Sequence, residues 1–129
     1  MESIEFLRTA EALLQNESVA EVECRNAASR AYYCAYHSCL DLSKRYPSTN
    51  DVKTKGGVHQ RLINTLCSHQ DERVKSAGYF FNQIKRLRVK ADYKLTTNFT
   101  LQDSQFAVNS VQKLLQEINE IQSTSMDSI

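Results

Sequence analysis

The chain has 129 residues, 41% of them hydrophobic, with a net charge of +1. That length and apolar fraction suit one domain (1–129) built on one continuous core and leave too little chain for two. A charge so near zero excludes a protein that coats nucleic acid by bulk electrostatics, since that mode depends on many neutralised phosphates, so any RNA contact must be local.

Only three glycines and one proline are present. Leu, Ala, Glu, Gln, Lys and Arg are abundant, which favours helices over the turn-rich architecture of small β domains. The expected fold class is all-α, an antiparallel helical bundle of four to five helices. No run approaches the roughly 20 apolar residues that span a bilayer. Glu2 and Glu5 stand where a secretory leader carries positive charge. The expectation is therefore a cytoplasmic protein with no membrane partner.

Cys24, Cys34, Cys39 and Cys67 show neither the paired spacing nor the nearby histidines of a zinc site. Three of them fall in one predicted helix, where a thiol serves as a small buried apolar group in a reducing compartment. No metal site is expected.

Ile4, Leu7, Ala10, Leu13 and Leu14 recur at three- and four-residue intervals and predict a first helix over about Ser3 to Gln15. Asn16, Glu17 and Ser18 break that stripe. A second helix is expected from near Ser18, with Glu21 as its capping partner, to about Arg45, where Tyr46 and Pro47 stop it. The polar segment from Pro47 to Gly57 reads as a loop and a candidate lid. Val58, Leu62, Ile63 and Leu66 predict a short third helix over Val58 to Leu66.

Val74, Ala77, Phe80, Phe81, Ile84 and Leu87 predict a fourth helix from about Asp71 to Lys90, ending before Asp92 and Tyr93. Asp92 to Thr100 reads as irregular, with Thr100 and Asp103 forming a helix start. The last helix places Phe106, Val108, Val111, Leu114, Leu115, Ile118 and Ile121 on its apolar face, and Ser123 to Ile129 reads as a frayed tail.

The second helix carries the chemistry. Asn26, Arg30, Tyr33, His37 and Asp41 fall on one stripe, while Ala27, Ala28, Ala31, Ala35 and Cys39 offer small surfaces for close packing elsewhere on the cylinder. Arg30 and His37 are seven positions apart, two turns and roughly 10 Å along the axis. Two readings of the stripe are open. In the structural one, Arg30 holds a carboxylate of another helix, His37 is a satisfied core histidine, and the tyrosines are core residues with hydroxyls reaching solvent. In the catalytic one, an imidazole that moves protons near neutral pH and a guanidinium whose planar fork suits phosphate act together in phosphodiester cleavage.

The run SRAYYCAYH at Ser29 to His37, followed by GGVHQRLINTL and then LRVKADYKL, resembles the HEPN superfamily (higher eukaryote and prokaryote nucleotide-binding). The likeness extends from about Ala20 to Leu115. It implies a bundle that often dimerises. In many members it also implies a metal-independent endoribonuclease of toxin-antitoxin or defence type, whose motif is an arginine, four to six residues and a histidine. Arg30 and His37 match that motif with six intervening residues, whereas Ala31 departs from the polar residue that often follows the arginine. The resemblance also implies members that bind a nucleotide or a protein partner without cutting, and a nucleotidyltransferase antitoxin as a frequent companion.

Cleavage of that kind uses the ribose 2′-hydroxyl as nucleophile, so it requires a base, an acid and positive charge, and neither metal nor cofactor. One motif histidine per chain makes a homodimer with paired second helices the expected way to assemble two. Asn26 and Tyr33 are candidate substrate-binding residues beside Arg30 and His37. Lys85, Arg86 and Arg88 are candidates to track an RNA backbone, alongside the alternative of a solvated helix end in which Arg88 pairs with Asp92. His59 is a rival second histidine, weighed against a helix-start or packing role, and His69 is expected to be solvated in a linker.

Overall fold

The computed structural model describes residues 2–15, 20–49, 56–93 and 98–127. Within them the chain forms five helices: α1 (Ser3–Leu13), α2 (Glu21–Arg45), α3 (Val58–Cys67), α4 (Glu72–Tyr93) and α5 (Leu101–Asp127). There is no strand among the described residues, and the chain is an all-α helical bundle. No helix in them is long and apolar enough to cross a membrane. Asn16 to Ser18 lie outside the described residues, as do Asn50 to Lys55 of the candidate lid. α2 starts at Glu21 behind Ala20, later than the start expected near Ser18, and Glu21 is no capping partner, because its carboxylate accepts from Arg25 and from the Phe99 amide.

α2 is the axis of the bundle and packs against all four other helices. It can do so because one flank is built from Ala27, Ala28, Ala31, Ala35, Cys34 and Cys39, all buried, whose short side chains let neighbouring backbones come close. α1 and α4 run against α2: Phe6 sits by His37, Phe81 stacks on Tyr32 and Asp92 meets Ser29. α5 runs alongside it, with Ser104 Oγ donating to the Cys24 carbonyl at 2.8 Å. Leu7, Leu42, Leu62, Leu66, Val74, Phe81, Ile84, Val111, Leu114 and Ile118 fill the main core. Each such side chain contributes on the order of 1.5–3 kcal/mol by leaving water.

Phe99 closes a smaller cluster at one end, against Cys24, Ala28, Ala91 and Ala107. Arg25 lies over its ring at 5.5 Å. The Arg25 guanidinium donates to the carbonyls of Lys90 (3.1 Å) and Ala91 (2.9 Å) and to Glu21 (3.1 Å). These bonds tie carbonyls in the last turn of α4 to α2. The Phe99 amide donates to Glu21 at 2.7 Å, and together with Arg25 it holds that carboxyl below its ordinary range.

The structure corrects several expectations. α4 continues through Asp92 and Tyr93 rather than ending before them, because Asp92 accepts from Arg88 at 2.9 Å and from Ser29 at 2.5 Å and is thereby held on the helix. α5 runs on through Ser123 to Asp127, where fraying was expected. Phe106 is 62% exposed instead of facing the core, since Ala107, Val108 and Val111 take that side. Ile4 likewise lies at the surface. The expected α5 start is present: the Asp103 amide donates to Thr100 Oγ1 and the Thr100 amide to Asp103 Oδ2, each at 3.0 Å, a reciprocal cap.

His69 is buried, not solvated. Its Nε2 donates to the Tyr46 carbonyl at 2.7 Å and its Nδ1 accepts from the Asp71 amide at 3.0 Å, so the ring pins the α3–α4 turn to the end of α2. Gly78 marks another close approach. A Cβ there would stand 2.7 Å from Leu66 Cβ and 2.9 Å from the Cys67 nitrogen, so α3 lies directly on the α4 backbone. The described cysteines are free; burial raises the thiol pKa of Cys24, Cys34 and Cys39.

Candidate functional site

The stripe predicted on α2 is real, but it is a surface and not a buried seam. Asn26, Arg30, Tyr33, His37 and Asp41 are all exposed. The seven-position step from Arg30 to His37 amounts to almost two full turns, which keeps both on one side of the cylinder. Neither has an ion pair or hydrogen bond among the described residues. The structural reading that gave Arg30 a carboxylate on another helix is therefore not met; Arg25, five residues earlier, is the arginine that ties α2 to α4, through the carbonyls of Lys90 and Ala91, and its carboxylate partner Glu21 lies on its own helix.

His37 is held by rings. Phe6 of α1 stacks on it at 5.8 Å with a 13° interplanar angle, and Tyr36 meets it edge-on at 5.3 Å. Glu2, Ser3, Phe6, His37 and Asp41 line a cavity of about 230 Å³ at this end of α2. Tyr33 bridges the two sides of the face: its ring is 5.9 Å from Phe6, and its hydroxyl lies 3.5 Å from the Arg88 guanidinium.

The basic end of α4 divides into two parts. Arg88 is turned inward, ion-paired with Asp92 at 2.9 Å and lying over the rings of Tyr32 (4.9 Å) and Tyr33 (5.5 Å). It therefore anchors α4 on α2, in line with the pairing to Asp92 weighed from spacing. Lys85 donates to Gln60 Oε1 of α3 at 2.9 Å. With Asn82, exposed Arg86 and Val89, it lines an open cavity of about 380 Å³. This is the part of the basic run that faces an open cavity.

Between these two parts lies a network that sequence reasoning did not assemble. Tyr32, fully buried on α2, shares a short hydrogen bond with Nδ1 of His59 at the start of α3. The two rings stack at 5.5 Å, Phe81 also stacks on Tyr32 at 5.5 Å, and Tyr36 lies against His59 at 4.4 Å. Tyr36 thus separates His37 from His59 by a single ring. Burial holds the Tyr32 phenol well above its ordinary range. His59 moves the opposite way, its pKa lowered first by burial and then by the charges of Arg88 and Lys85. The signal available in sequence was only the order of Tyr32, His59 and Arg88 along three helices, with nothing to fix their register.

The described residues hold no group of three or more histidine, cysteine or acidic side chains placed to bind a metal. Comparison with protein-family models, with curated proteins and with solved structures finds no match to this chain.

Proposed function

We propose that this protein is a HEPN-type, metal-independent endoribonuclease of the toxin-antitoxin or defence kind, cutting single-stranded RNA with Arg30 and His37. The observation that carries this reading is that both side chains stand exposed on one face of α2 without an internal polar partner among the described residues, with the exposed Tyr33 between them. In the proposed reaction the 2′-oxygen attacks the adjacent phosphorus and gives up its proton while the P–O5′ bond breaks and the 5′-oxygen gains one. The products are a 2′,3′-cyclic phosphate and a 5′-hydroxyl. His37 is a proton-transfer group, Arg30 neutralises the crowded phosphorane, Tyr33 and Asn26 hold the nucleotide, and Lys85 and Arg86 follow the backbone. A homodimer that faces one α2 with another adds a second imidazole and a second guanidinium, and a nucleotidyltransferase antitoxin is a fitting partner.

The test is incubation of the purified protein with single-stranded RNA in EDTA. Cyclic-phosphate ends are expected from wild type and not from His37→Ala, whereas RNA left intact by wild type defeats the proposal. A second reading, a non-catalytic module that binds a nucleotide or a protein partner, is favoured by Ala31, which follows Arg30 and is wholly buried, so the motif lacks a polar group there. That reading predicts binding weakened by Arg30→Ala with no scission.

A further inference from the structure

His59 holds one ring nitrogen inward and leaves the other available. Among the described residues the Tyr32 hydroxyl has His59 Nδ1 as its one hydrogen-bond partner. A fully buried phenol that keeps its proton must place it in a bond, so the Tyr32 O–H donates and Nδ1 accepts. A neutral imidazole that accepts at Nδ1 carries its proton on Nε2. Nε2 has no partner among the described residues, and none of their buried side-chain nitrogens or oxygens goes unpaired, so this N–H opens to solvent. The groups facing the ring are Tyr32 and Tyr36 from α2 and Lys85 and Arg88 from α4. Arg88 is already paired with Asp92, so Lys85 is the cation that favours an anionic acceptor beside the neutral donor, while both oppose a positive charge on the ring itself.

We propose that the Nε2–H of His59 is a fixed donor to a phosphate oxygen of the ligand, one aromatic ring away from His37, with Lys85 supplying the charge. Tyr32 is its positioning residue, fixing the tautomer. This inference rests on reading the chain as an RNA- or nucleotide-binding module, and it gives that module a second phosphate contact besides Arg30. The phosphate can belong to an RNA strand or to a free nucleotide.

The experiment uses protein labelled with ¹⁵N in histidine and follows the ring nitrogens of His59 by long-range ¹H–¹⁵N correlation. Three ligands are compared: a short single-stranded RNA with 2′-methoxy sugars that cannot be cleaved, a 5′-mononucleotide, and inorganic phosphate. The free protein is expected to show a protonated Nε2 and an unprotonated Nδ1, and the Nε2 signal is expected to move with the RNA or the nucleotide, the larger response naming the source. His59→Asn keeps an acceptor for Tyr32 but lacks the outer donor, and is expected to weaken binding roughly ten- to hundredfold, the scale of a hydrogen bond to a charged group. His59→Gln carries an N–H near the Nε2 position and is expected to stay within about threefold of wild type by the same measure.

An Nδ1-protonated ring in the free protein overturns the inference, as does ligand binding that leaves both the Nε2 signal and the His59→Asn affinity unchanged. If none of the three ligands binds wild type, the inference and the proposed function fall together. Binding at His59 by the uncleavable strand, with natural RNA left intact, upholds the inference and removes the nuclease reading alone.

Discussion

The Tyr32 hydroxyl and Nδ1 of His59 share the hydrogen bond that ties the middle of α2 to the first turn of α3. Removing the hydroxyl with Tyr32→Phe preserves the stacking on Phe81 but leaves Nδ1 without its donor. A loss of about 1–2 kcal/mol is expected in urea denaturation, within the range for one buried hydrogen bond. The His59 ring nitrogens are expected to shift toward a mixture of tautomers in the same variant.

His59 also sets a pH dependence. Its folded pKa lies below the ordinary 6.5, so in acid the unfolded chain takes up the proton first. The sign follows from linkage: this contribution to stability is complete above the unfolded value and is lost as pH falls through the folded one. Melting temperature is expected to drop on acidification below about pH 6.5, and less steeply in His59→Gln. Parallel slopes for the two proteins rule this out.

Arg25 is the arginine on which the fold depends. Its guanidinium serves two carbonyls of α4 and a carboxylate at once, a task for a planar fork. Arg25→Ala is expected to cost about 2–3 kcal/mol, the scale of charge-assisted bonds to a buried and a part-buried carbonyl. Arg25→Lys should recover only part of it. Chemical denaturation of the two variants checks the order.

Arg30→Ala and His37→Ala should do the reverse. Both residues are exposed and lack internal polar partners among the described residues, so Arg30→Ala should melt within about 0.5 kcal/mol of wild type, and His37→Ala, which also gives up its ring contacts with Phe6 and Tyr36, within about 1.5 kcal/mol. That makes them clean probes of RNA binding and cleavage. A large loss of stability in either would show that the exposed face of α2 is structural.

Gly78→Ala sets two effects against each other. Alanine is worth roughly 1 kcal/mol over glycine in a helix interior, but here its methyl group would press on Leu66 and on the Cys67 backbone inside van der Waals distance. Backbone cannot step aside as a side-chain end can, so overpacking wins and a net loss of about 1–3 kcal/mol is expected. Unfolding in urea decides the sign.

Much of this architecture was legible in periodicity. The alanine flank of α2, the apolar spacing of α3 and the cap at Thr100 and Asp103 are local patterns, and each appears where expected. What was not legible depends on partners distant in the chain. Asp92 looks like a helix breaker until Ser29 of α2 donates to it, and His69 looks solvated until the Tyr46 carbonyl accepts from its Nε2; only the pairing of Asp92 with Arg88, four residues away, was readable from spacing. Spacing put Arg30 and His37 on one face but gave no depth for that face. Nor did it link Tyr32 to His59, which meet only because α3 folds back against α2.

The division of α2 into an alanine flank and a water-facing flank has a consequence for how this protein can vary. Adding or deleting one residue near the middle of the helix would turn everything beyond it by about 100°, swinging polar groups into the closest-packed seam while carrying small residues out to the surface. Core and stripe are in phase with each other, so insertions and deletions are expected to be tolerated in the connections between helices and not in the central rod, which can change its side chains but not its count.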